Sequence, residues 1–342
     1  MSSIGDIILS THLLKRIRAR FGSAHIAMLT HMRFGELHGA LPGIDASFSF
    51  PRGMLAKSKI TRTLRRENFD TIIDLQNNVV TRRLCASLRA KRVFRFRRSR
   101  WNRWQRIHLK FRRKTLLIPP HVAAGYLDSV SDIGVSDDNK GLQLNIADSW
   151  RETINNRLSK HHSEAGLSAT HPLLIISPSA AHETKSLPVS RWTELLKLLK
   201  SAGYLYQVLI GGISDKARCD EISQHLDYPV LNTAGQTSLH EIIALIQTGA
   251  LLITGDSGPM HIASAVGTPL IAFFGPTVPE FGFAPFRCKH KLFEIKDLNC
   301  RPCTAHGSAK CPLGHFRCMN DINLDDVLDA VKGFIPVSGD GN

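Results

Sequence analysis

The chain is 342 residues long, which allows two domains that each bury a sizeable core. Hydrophobic residues make up 43% of it and the mean hydropathy is −0.09, values typical of a globular protein. No run of about 18 apolar residues is present, which excludes a membrane-spanning helix. No charged segment followed by an apolar core marks an export signal, so we expect a cytoplasmic protein.

The net charge is +15, and its source is local. Between residues 81 and 114 the chain has 15 lysines and arginines and no acidic residue, while the rest of the chain balances 29 basic against 29 acidic residues. So many like charges repel one another, which favours an anionic partner over a merely solvated face. Aromatic residues are interleaved with the charges: Phe94, Phe96, Trp101, Trp104 and Phe111.

The first half of the chain alternates helical and strand patterns. After the turn signal of Gly5, Leu13, Leu14 and Ile17 have the spacing of an amphipathic helix. Strands are predicted at residues 24–30 and 69–75. Residues 142–164 have helical character with polar loops, so we place a domain boundary near residue 147 and expect domains 1–146 and 147–335.

The second half continues the alternation. Apolar runs predict strands at residues 173–176 and 206–210, and helical patterns predict helices at about residues 190–201 and 323–331. Ser238 is placed as the N-cap of a helix that contains residues 242–246. Repeated strand–helix units predict two doubly wound α/β domains.

Residues 250–277 are the most informative stretch. They predict a buried strand (250–253), a tight turn, a helix (260–266) and a second buried strand (269–274), as in a parallel sheet covered on both faces. Asp256 and Ser257 suit the N-cap, and a helix that begins at the carboxyl end of a strand can bind an anion such as phosphate. From the residues alone, phosphate binding and an ordinary capped turn remain equally open.

The same stretch carries a family resemblance. The run Asp256-Ser257-Gly258-Pro259-Met260-His261, followed by Gly267-Thr268-Pro269 and Phe274-Gly275-Pro276-Thr277, resembles the donor-site signature of glycosyltransferase family 9, the ADP-heptose:lipopolysaccharide heptosyltransferases and their relatives. The resemblance spans nearly the whole chain. It implies the GT-B architecture, two Rossmann-like domains facing a central cleft, with the acceptor in the N-terminal domain and the nucleotide sugar in the C-terminal one.

The start of the chain resembles the family's opening, in which a strand runs into Ser-Ser-Ile-Gly-Asp. Here the chain begins inside that motif, so we expect the first strand of the N-terminal sheet to be missing, through a misassigned start or a true truncation. The resemblance implies that Asp6 is the general base that takes the proton of the acceptor hydroxyl. The residues alone favour a helix cap for Asp6, and both roles can hold together.

The resemblance also assigns donor-binding residues in the second domain. Lys185, ahead of Pro188 and Trp192, resembles the family's lysine that reaches the donor diphosphate, although a surface lysine is the plainer interpretation. The remaining donor residues that we expect lie at strand ends and in the central turn; they are Gly212, Asp215, Thr237, Asp256, Ser257, Gly258 and His261. Asp215 matches the family only approximately.

For the acceptor we expect Asp74 and Gln76, in the Asp74-Leu75-Gln76 segment that resembles a family motif, together with Arg97 and Arg98 of the basic stretch 81–114. A strand terminator is the alternative for Asp74. The basic stretch favours a phosphorylated, acidic glycolipid and the anionic membrane that carries it. Single-stranded nucleic acid is the alternative, but no nucleic-acid motif accompanies it.

Five of the seven cysteines lie between residues 288 and 318. In a reducing compartment they favour thiols over disulfides. Cys300, Cys303, Cys311, His315 and Cys318 could close a zinc site, but their spacing matches no common zinc ribbon, so buried reduced cysteines are the alternative.

The resemblance, carried by Asp6, Lys185 and the turn 256–261 in the family's order, implies an inverting glycosyltransferase that moves heptose from ADP-heptose to the lipopolysaccharide inner core. We expect a monomer at the inner face of the inner membrane, with no bound cofactor or metal required, because no Asp-x-Asp motif lies near the donor turn. A nucleic-acid-binding protein and an inactive, truncated relative are the alternatives.

Overall fold

The computed structural model describes residues 1, 3–98, 100–109, 118–164 and 171–336. It divides into two compact units, and each is described by itself. Unit 1 comprises Met1–Arg100 with Pro119–Asn145, and unit 2 comprises Trp101–Ile118 with Ile146–Asn342. Among the described residues, no helix has both the length and the apolar content needed to cross a membrane.

Unit 1 alternates helices with short parallel strands. In chain order these are α1 (Ile4–Leu9), α2 (Thr11–Arg20), β1 (Ala27–His31), β2 (Ala46–Phe50), α3 (Met54–Arg66), β3 (Thr71–Asp74), α4 (Val79–Leu88), β4 (Arg92–Arg95) and α6 (Val122–Asp128). The helix α5 (Arg100–His108) begins at the end of this unit and continues in unit 2.

The strands of unit 1 form two separate parallel pairs, β1 with β2 and β3 with β4. Met1 extends the first pair by two bonds: its amino group donates to the carbonyl of Leu29 (3.0 Å), and the amide of His31 donates to the carbonyl of Met1 (2.8 Å). A cavity of about 190 Å³ is lined by residues of both β1 and β3, including Met28 and Ile72. This is the region to which the expectation of a missing strand refers, and that expectation stays a prediction.

Unit 2 is built on one parallel sheet of six strands in the order β10-β9-β8-β5-β6-β7. Its elements are α7 (Asp148–Glu164), β5 (Leu174–Ser177), α8 (Val189–Ser201), β6 (Gln207–Leu209), α9 (Lys216–Gln224), β7 (Leu231–Asn232), α10 (Leu239–Thr248), β8 (Leu251–Gly255), α11 (Gly258–Val266), β9 (Leu270–Phe273), β10 (His290–Phe293), α12 (Arg317–Asn320) and α13 (Leu324–Phe334).

The three central strands of unit 2, β5, β8 and β9, are buried along their whole length. Continuous apolar runs, not alternating ones, are expected where helices cover both faces of a parallel sheet. Trp192 on α8 is fully buried and meets Phe273 edge to face, with 5.5 Å between the ring centres. The predicted strands and helices of this half are confirmed, with boundaries that differ by one to three residues.

The N-terminal helix differs from the prediction. Two helices, α1 and α2, replace a glycine turn followed by one helix, and Gly5 lies inside α1. Ser3 caps α1, because its hydroxyl accepts a hydrogen bond from the amide of Asp6 (3.1 Å). A good cap outweighs the cost of about 1 kcal/mol that glycine adds in a helix.

Candidate active site

The Asp6 carboxylate of unit 1 is buried and held by three donors. Ser3 Oγ donates to Oδ2 (2.8 Å), while Arg98 Nη2 (2.9 Å) and the hydroxyl of Tyr126 (3.1 Å) donate to Oδ1. Asp6 is 8% exposed and Tyr126 is fully buried. The contacts join residues up to 120 positions apart in sequence, so this part of unit 1 fixes the direction of the carboxylate.

The three donors also determine the protonation state of Asp6. Burial by itself would raise its pKa, but the positive charge of Arg98 and the hydrogen bonds from Ser3, Arg98 and Tyr126 outweigh burial and lower the pKa below its ordinary value. Burial and the neighbouring carboxylate raise the pKa of Tyr126 well above its ordinary value. At neutral pH Asp6 is therefore ionised and Tyr126 is a neutral donor.

The cap and the carboxylate are two different residues. Ser3 is the N-cap of α1, and Asp6 lies three positions later, with its carboxylate turned to the Ser3 hydroxyl. The capping role that the residues alone favour for Asp6 is thus carried mainly by Ser3. A carboxylate in the first helical turn is also stabilised by the helix dipole.

The expected acceptor residues occupy different settings. Asp74 is 5% exposed, and its carboxylate accepts hydrogen bonds from the amides of Gln76 (3.1 Å) and Asn77 (2.8 Å) and from the hydroxyl of Thr81 (2.9 Å). These bonds build the turn between β3 and α4, as the alternative role of strand terminator requires. An acceptor-binding role of Asp74 stays a prediction.

Gln76 lies at an open cavity. With residues of β1, β2, α3 and α4, among them His31, Lys57 and Val80, it lines a space of about 340 Å³ in unit 1. Arg97 is exposed to solvent, whereas Arg98 is half-buried and paired with Asp6. Ser99 and Lys110 to Lys114 of the basic stretch lie outside the described residues.

The central turn of unit 2 has the predicted geometry. β8 ends at Gly255, Ser257 is extended (φ −145°, ψ 177°) at the N-cap, and α11 begins with Gly258 and Pro259. The first N–H groups of a helix have no partner within the helix, so they face whatever lies beyond its start. His261 follows in the first turn and is buried. The turn can therefore present amides and an imidazole to an anion.

Lys185 and Asp256 form a buried ion pair beside this turn. The Nζ of Lys185 is 2.7 Å from Oδ2 of Asp256, and the hydroxyl of Thr277 donates to the same oxygen (2.7 Å). The Lys185 side chain is 17% exposed, so the ammonium is held in place and is not a loose surface charge. The plainer interpretation as a loose surface lysine does not hold, and the donor role of Lys185 stays a prediction.

The loop that carries Lys185 is fixed by the residues that follow it. The indole of Trp192 donates to Ser186 Oγ (3.0 Å), and Ser186 Oγ donates to the carbonyl of Pro178 (2.5 Å). A Cβ on Gly255 would collide with the backbone carbonyl of Lys185, so the close approach of loop and strand requires glycine there. The spacing of Lys185 and Trp192 in the motif thus lets the tryptophan hold the loop that carries the lysine.

The expected nucleoside-binding residues lie in two adjoining loops. Asp215 accepts a hydrogen bond from the amide of Gly212 (2.8 Å), and the amide of Gly235 donates to the carbonyl of Gly211 (3.0 Å), which ties the loops together. Thr237 donates to the carbonyl of Thr233 (3.3 Å). Ser238 caps α10 in a capping box with Glu241, as predicted.

Arg301 is a structural residue of the site that the sequence did not reveal. It is 2% exposed and donates to the carbonyls of Phe274 (2.8 Å) and Thr277 (3.0 Å), and it pairs with Glu294 (3.0 Å). These bonds hold the segment that brings Thr277 to Asp256. Tyr126 was missed in the same way, because neither residue belongs to a recognisable local motif.

None of the seven cysteines is in a disulfide. In the described structure no three ligand atoms of Cys300, Cys303, Cys311, His315 and Cys318 meet at one point. A zinc site and buried reduced cysteines both stay predictions. Burial raises the pKa of Cys318 to about 12, which keeps this thiol protonated. The described residues do hold one convergent group, His12 with Asp137 and Asp138, in which Asp138 pairs with Arg16 (3.3 Å).

Two proteins of similar sequence are lipopolysaccharide heptosyltransferases. Lipopolysaccharide heptosyltransferase 3 of Escherichia coli K12 is 25% identical over 286 residues, 80% of each chain. Lipopolysaccharide heptosyltransferase 2 of Salmonella typhimurium LT2 is 26% identical over 297 residues, 82% of each chain.

Solved structures share the fold. A family 9 glycosyltransferase from Veillonella parvula superposes with a TM-score of 0.77 at 22% identity, covering 97% of this chain and 94% of that one. The E. coli ADP-heptose lipopolysaccharide heptosyltransferase II gives 0.75 at 22% identity, covering 98% and 96%. The expected α/β fold of the GT-B type is thereby confirmed.

The sequence model of glycosyltransferase family 9 (heptosyltransferase) matches residues 57–313, three quarters of the chain, and includes both Lys185 and the turn from Asp256 to His261. Its match confirms the resemblance that the donor-site residues indicate. The chain belongs to glycosyltransferase family 9 and is a glycosyltransferase.

Proposed function

We propose that this glycosyltransferase moves heptose from ADP-heptose to the inner core of lipopolysaccharide, with inversion at the anomeric carbon. The observation that carries the proposal is the start of α11, where amides, His261 and the ion-paired Lys185 surround one turn in a family 9 chain. The names of the similar proteins support the sugar and the acceptor.

In the proposed reaction, Asp6 removes the proton of the acceptor hydroxyl while that oxygen forms a bond to the anomeric carbon. The bond from this carbon to the β-phosphate oxygen breaks, and ADP leaves with the electron pair. A single displacement inverts the configuration. The low pKa of Asp6 keeps the carboxylate ionised and ready to accept the proton at neutral pH.

The leaving diphosphate gathers negative charge as the bond breaks. Lys185, His261 and the amides of Ser257 and Gly258 are the donors we assign to it, because donors already oriented in the free protein can lower such a barrier by several kcal/mol. Asp256 and Thr277 keep the ammonium of Lys185 in position. Gly212, Asp215 and Thr237 are assigned to the nucleoside. We propose that no divalent ion is obligatory.

On the acceptor side we assign the cavity at Gln76, with Asp74, Arg97 and Arg98, to the acidic core of the glycolipid. The functional division into an acceptor domain, 1–146, and a donor domain, 147–335, belongs to the same proposal. So do a monomeric state and a location on the inner face of the inner membrane, where the basic stretch 81–114 meets anionic lipid.

The decisive experiment is mass analysis of the product after incubation with ADP-heptose and a heptose-deficient lipid acceptor. A mass increase of one heptose is expected for the wild-type protein. Asp6→Asn should reduce transfer by at least about a hundredfold, because a positioned base contributes 10²–10⁴-fold. ADP binding measured by calorimetry should be unchanged. Transfer at the wild-type rate by Asp6→Asn would remove Asp6 from the mechanism.

The alternatives predict different outcomes in this assay and in binding measurements. An inactive relative would bind ADP without any product. A nucleic-acid-binding protein would bind RNA in a steeply salt-dependent manner, and that binding would survive Asp256→Ala.

A further inference from the structure

Four large apolar side chains are exposed at one end of unit 1. Met54 (87% exposed) and Leu55 (90%) begin α3, and Val79 (64%) and Val80 (53%) begin α4. The segments that lead into the two helices line the same cavity, so the two helix starts lie side by side. A small apolar cluster that is rimmed by polar residues marks an interaction surface.

The first turn of α3 lacks the groups that usually stabilise the start of a helix. Its N-cap is Gly53 without a side-chain hydrogen bond, and no acidic residue lies in the first turn. Other helices of the chain, α2, α8 and α9 among them, also begin without a side-chain cap bond or an acidic residue in the first turn, so this feature alone does not single out α3. What the start of α3 adds is two large apolar residues, Met54 and Leu55, that are almost fully exposed.

The exposed face of α3 is also strongly basic. Residues 46–66 include no aspartate or glutamate, and Lys59, Arg62, Arg65 and Arg66 project from the exposed side of the helix. Arg65 and Arg66 have a structural explanation, because cations are favourable at a helix C-terminus. Lys59 and Arg62 lie mid-helix and make no side-chain hydrogen bond or ion pair within the described part of the chain.

We propose that α3 docks unit 1 on an anionic lipid bilayer, with Met54 and Leu55 inserted at the headgroup level and the basic face on the lipid phosphates. Apolar residues on one part of a helix and lysine and arginine on the rest are the features of a helix that lies in the membrane interface. The cavity at Gln76 opens between the same helix starts, so docking brings it to the lipid surface.

This surface lies outside the basic stretch 81–114 and extends the membrane contact of the proposed function to a defined helix. The test contains neither donor sugar nor acceptor, so its failure would leave the transfer reaction standing. Loss of the transfer reaction would likewise leave the docking surface standing.

The experiment measures sedimentation of the full chain with vesicles of phosphatidylcholine alone or mixed with phosphatidylglycerol. The wild-type protein should bind the mixed vesicles only. Lys59→Gln with Arg62→Gln should weaken binding about thirtyfold, since each basic residue near an anionic surface contributes about 1 kcal/mol. Met54→Ser with Leu55→Ser should weaken it at least about tenfold.

Matched controls lie in unit 2. Leu313→Ser removes an apolar side chain that is 64% exposed, and Lys197→Gln with Lys291→Gln removes two exposed charges; both should bind as the wild type does. The proposal is overturned if the wild-type protein does not sediment, if phosphatidylcholine alone suffices, or if the controls lose as much as the α3 variants. It also fails if the α3 variants lose RNA binding while vesicle binding persists.

Discussion

In the free protein the carboxylate of Asp6 already accepts hydrogen bonds from three side chains. Ser3 occupies one oxygen, and Arg98 and Tyr126 share the other. A carboxylate offers about four lone-pair positions, so an acceptor hydroxyl can still approach the oxygen that only Ser3 occupies. Arg98 is the partner most able to move, because it is half-buried, whereas Tyr126 is fully buried. An acidic acceptor that attracts Arg98 would free the base and raise its pKa at the same time.

The pH dependence of kcat/KM tests this arrangement, because it reports the pKa of the group in the free protein. Asp6 must be ionised to act, and its lowered pKa places the acid limb of the profile below the ordinary aspartate range. Tyr126→Phe removes one hydrogen bond to the charged form, which raises the pKa and should move the acid limb up by about one pH unit. Arg98→Gln removes a full charge and should move it further.

Tyr228→Phe is the control, because its hydroxyl bonds Gln207 within unit 2 (2.8 Å) and makes no hydrogen bond to Asp6. The comparison uses the pH at which the acid limb falls and not the height of the profile, so a uniform loss of acceptor affinity does not enter it. Unmoved acid limbs in both Asp6-neighbour variants would show that Asp6 does not titrate in that limb.

Gly255 offers a second test at the residue scale. Gly255→Ala sets a methyl group against the carbonyl of Lys185, so the loop must shift. We expect destabilisation of about 1–3 kcal/mol, as for other overpacked sites, and weaker ADP binding. Urea denaturation and calorimetry measure the two effects.

Gly333→Ala is the matched control, because a Cβ there meets no heavy atom within 4 Å. It should leave the ADP affinity at the wild-type value and, because alanine is favoured over glycine in a helix, raise the free energy of unfolding by at most about 1 kcal/mol. If Gly255→Ala behaved like Gly333→Ala, the close contact of loop and strand would be unimportant for donor binding.

Local chemistry made some residues of the site predictable. Asp256, Ser257 and Pro259 show a helix start after a buried strand, and their order in the motif identified the family. Tyr126, Arg301 and the pairing of Arg98 with Asp6 were not predictable, because each acts on a partner brought close only by folding. A buried arginine in a cysteine-rich segment has the same local pattern as an exposed one.

At the scale of elements, prediction was good where apolar runs were long. The inner strands β5, β6, β8 and β9 of unit 2 are buried along their length, and their apolar runs are clear in the sequence. The prediction for the first helices was wrong because it treated Gly5 as a turn. The Ser3 cap and the burial of Ile7 and Ile8 keep Gly5 inside a helix. The short strand β7 has two residues, too few for any sequence pattern to show.

The cavity between β1 and β3 leads to a prediction about unit 1. Four or five apolar β-branched residues placed before Met1 should pair with the edge of β1, which Met1 already begins to do. Burial of a few hundred Å² of apolar surface at about 25 cal/mol per Å² should raise the free energy of unfolding by several kcal/mol. Urea denaturation provides the measurement.

An extension of glycine and serine with equal length is the control, since it adds backbone without apolar surface. It should give a much smaller gain. Equal stability of the two extended proteins would mean that the cavity does not accept a strand.

At the scale of the whole molecule, each half of the proposed chemistry is contained in one unit. Asp6 and its donors lie in unit 1, and the Lys185–Asp256 pair lies in unit 2. The large core of unit 2 is made entirely of residues after position 170. Residues 146–336 alone should therefore fold and bind ADP within about tenfold of the affinity of the full chain, since one decade corresponds to only 1.4 kcal/mol.

Circular dichroism and calorimetry on this fragment test the expectation. Lys185→Gln in the fragment should weaken ADP binding as it does in the full chain. A fragment that folds but does not bind ADP would place essential donor contacts in the remainder of the chain.

The stacked pair Trp101 and Trp104 on α5, with ring centres 5.0 Å apart, has a practical consequence. Both rings are exposed, whereas Trp192 is sealed in the unit 2 core. Aqueous quenchers will therefore extinguish the emission of the pair first, then that of the half-buried Trp150, and leave a residual blue-shifted signal from Trp192. The protein thus contains two natural optical reporters, one for events at its surface and one for the integrity of its interior.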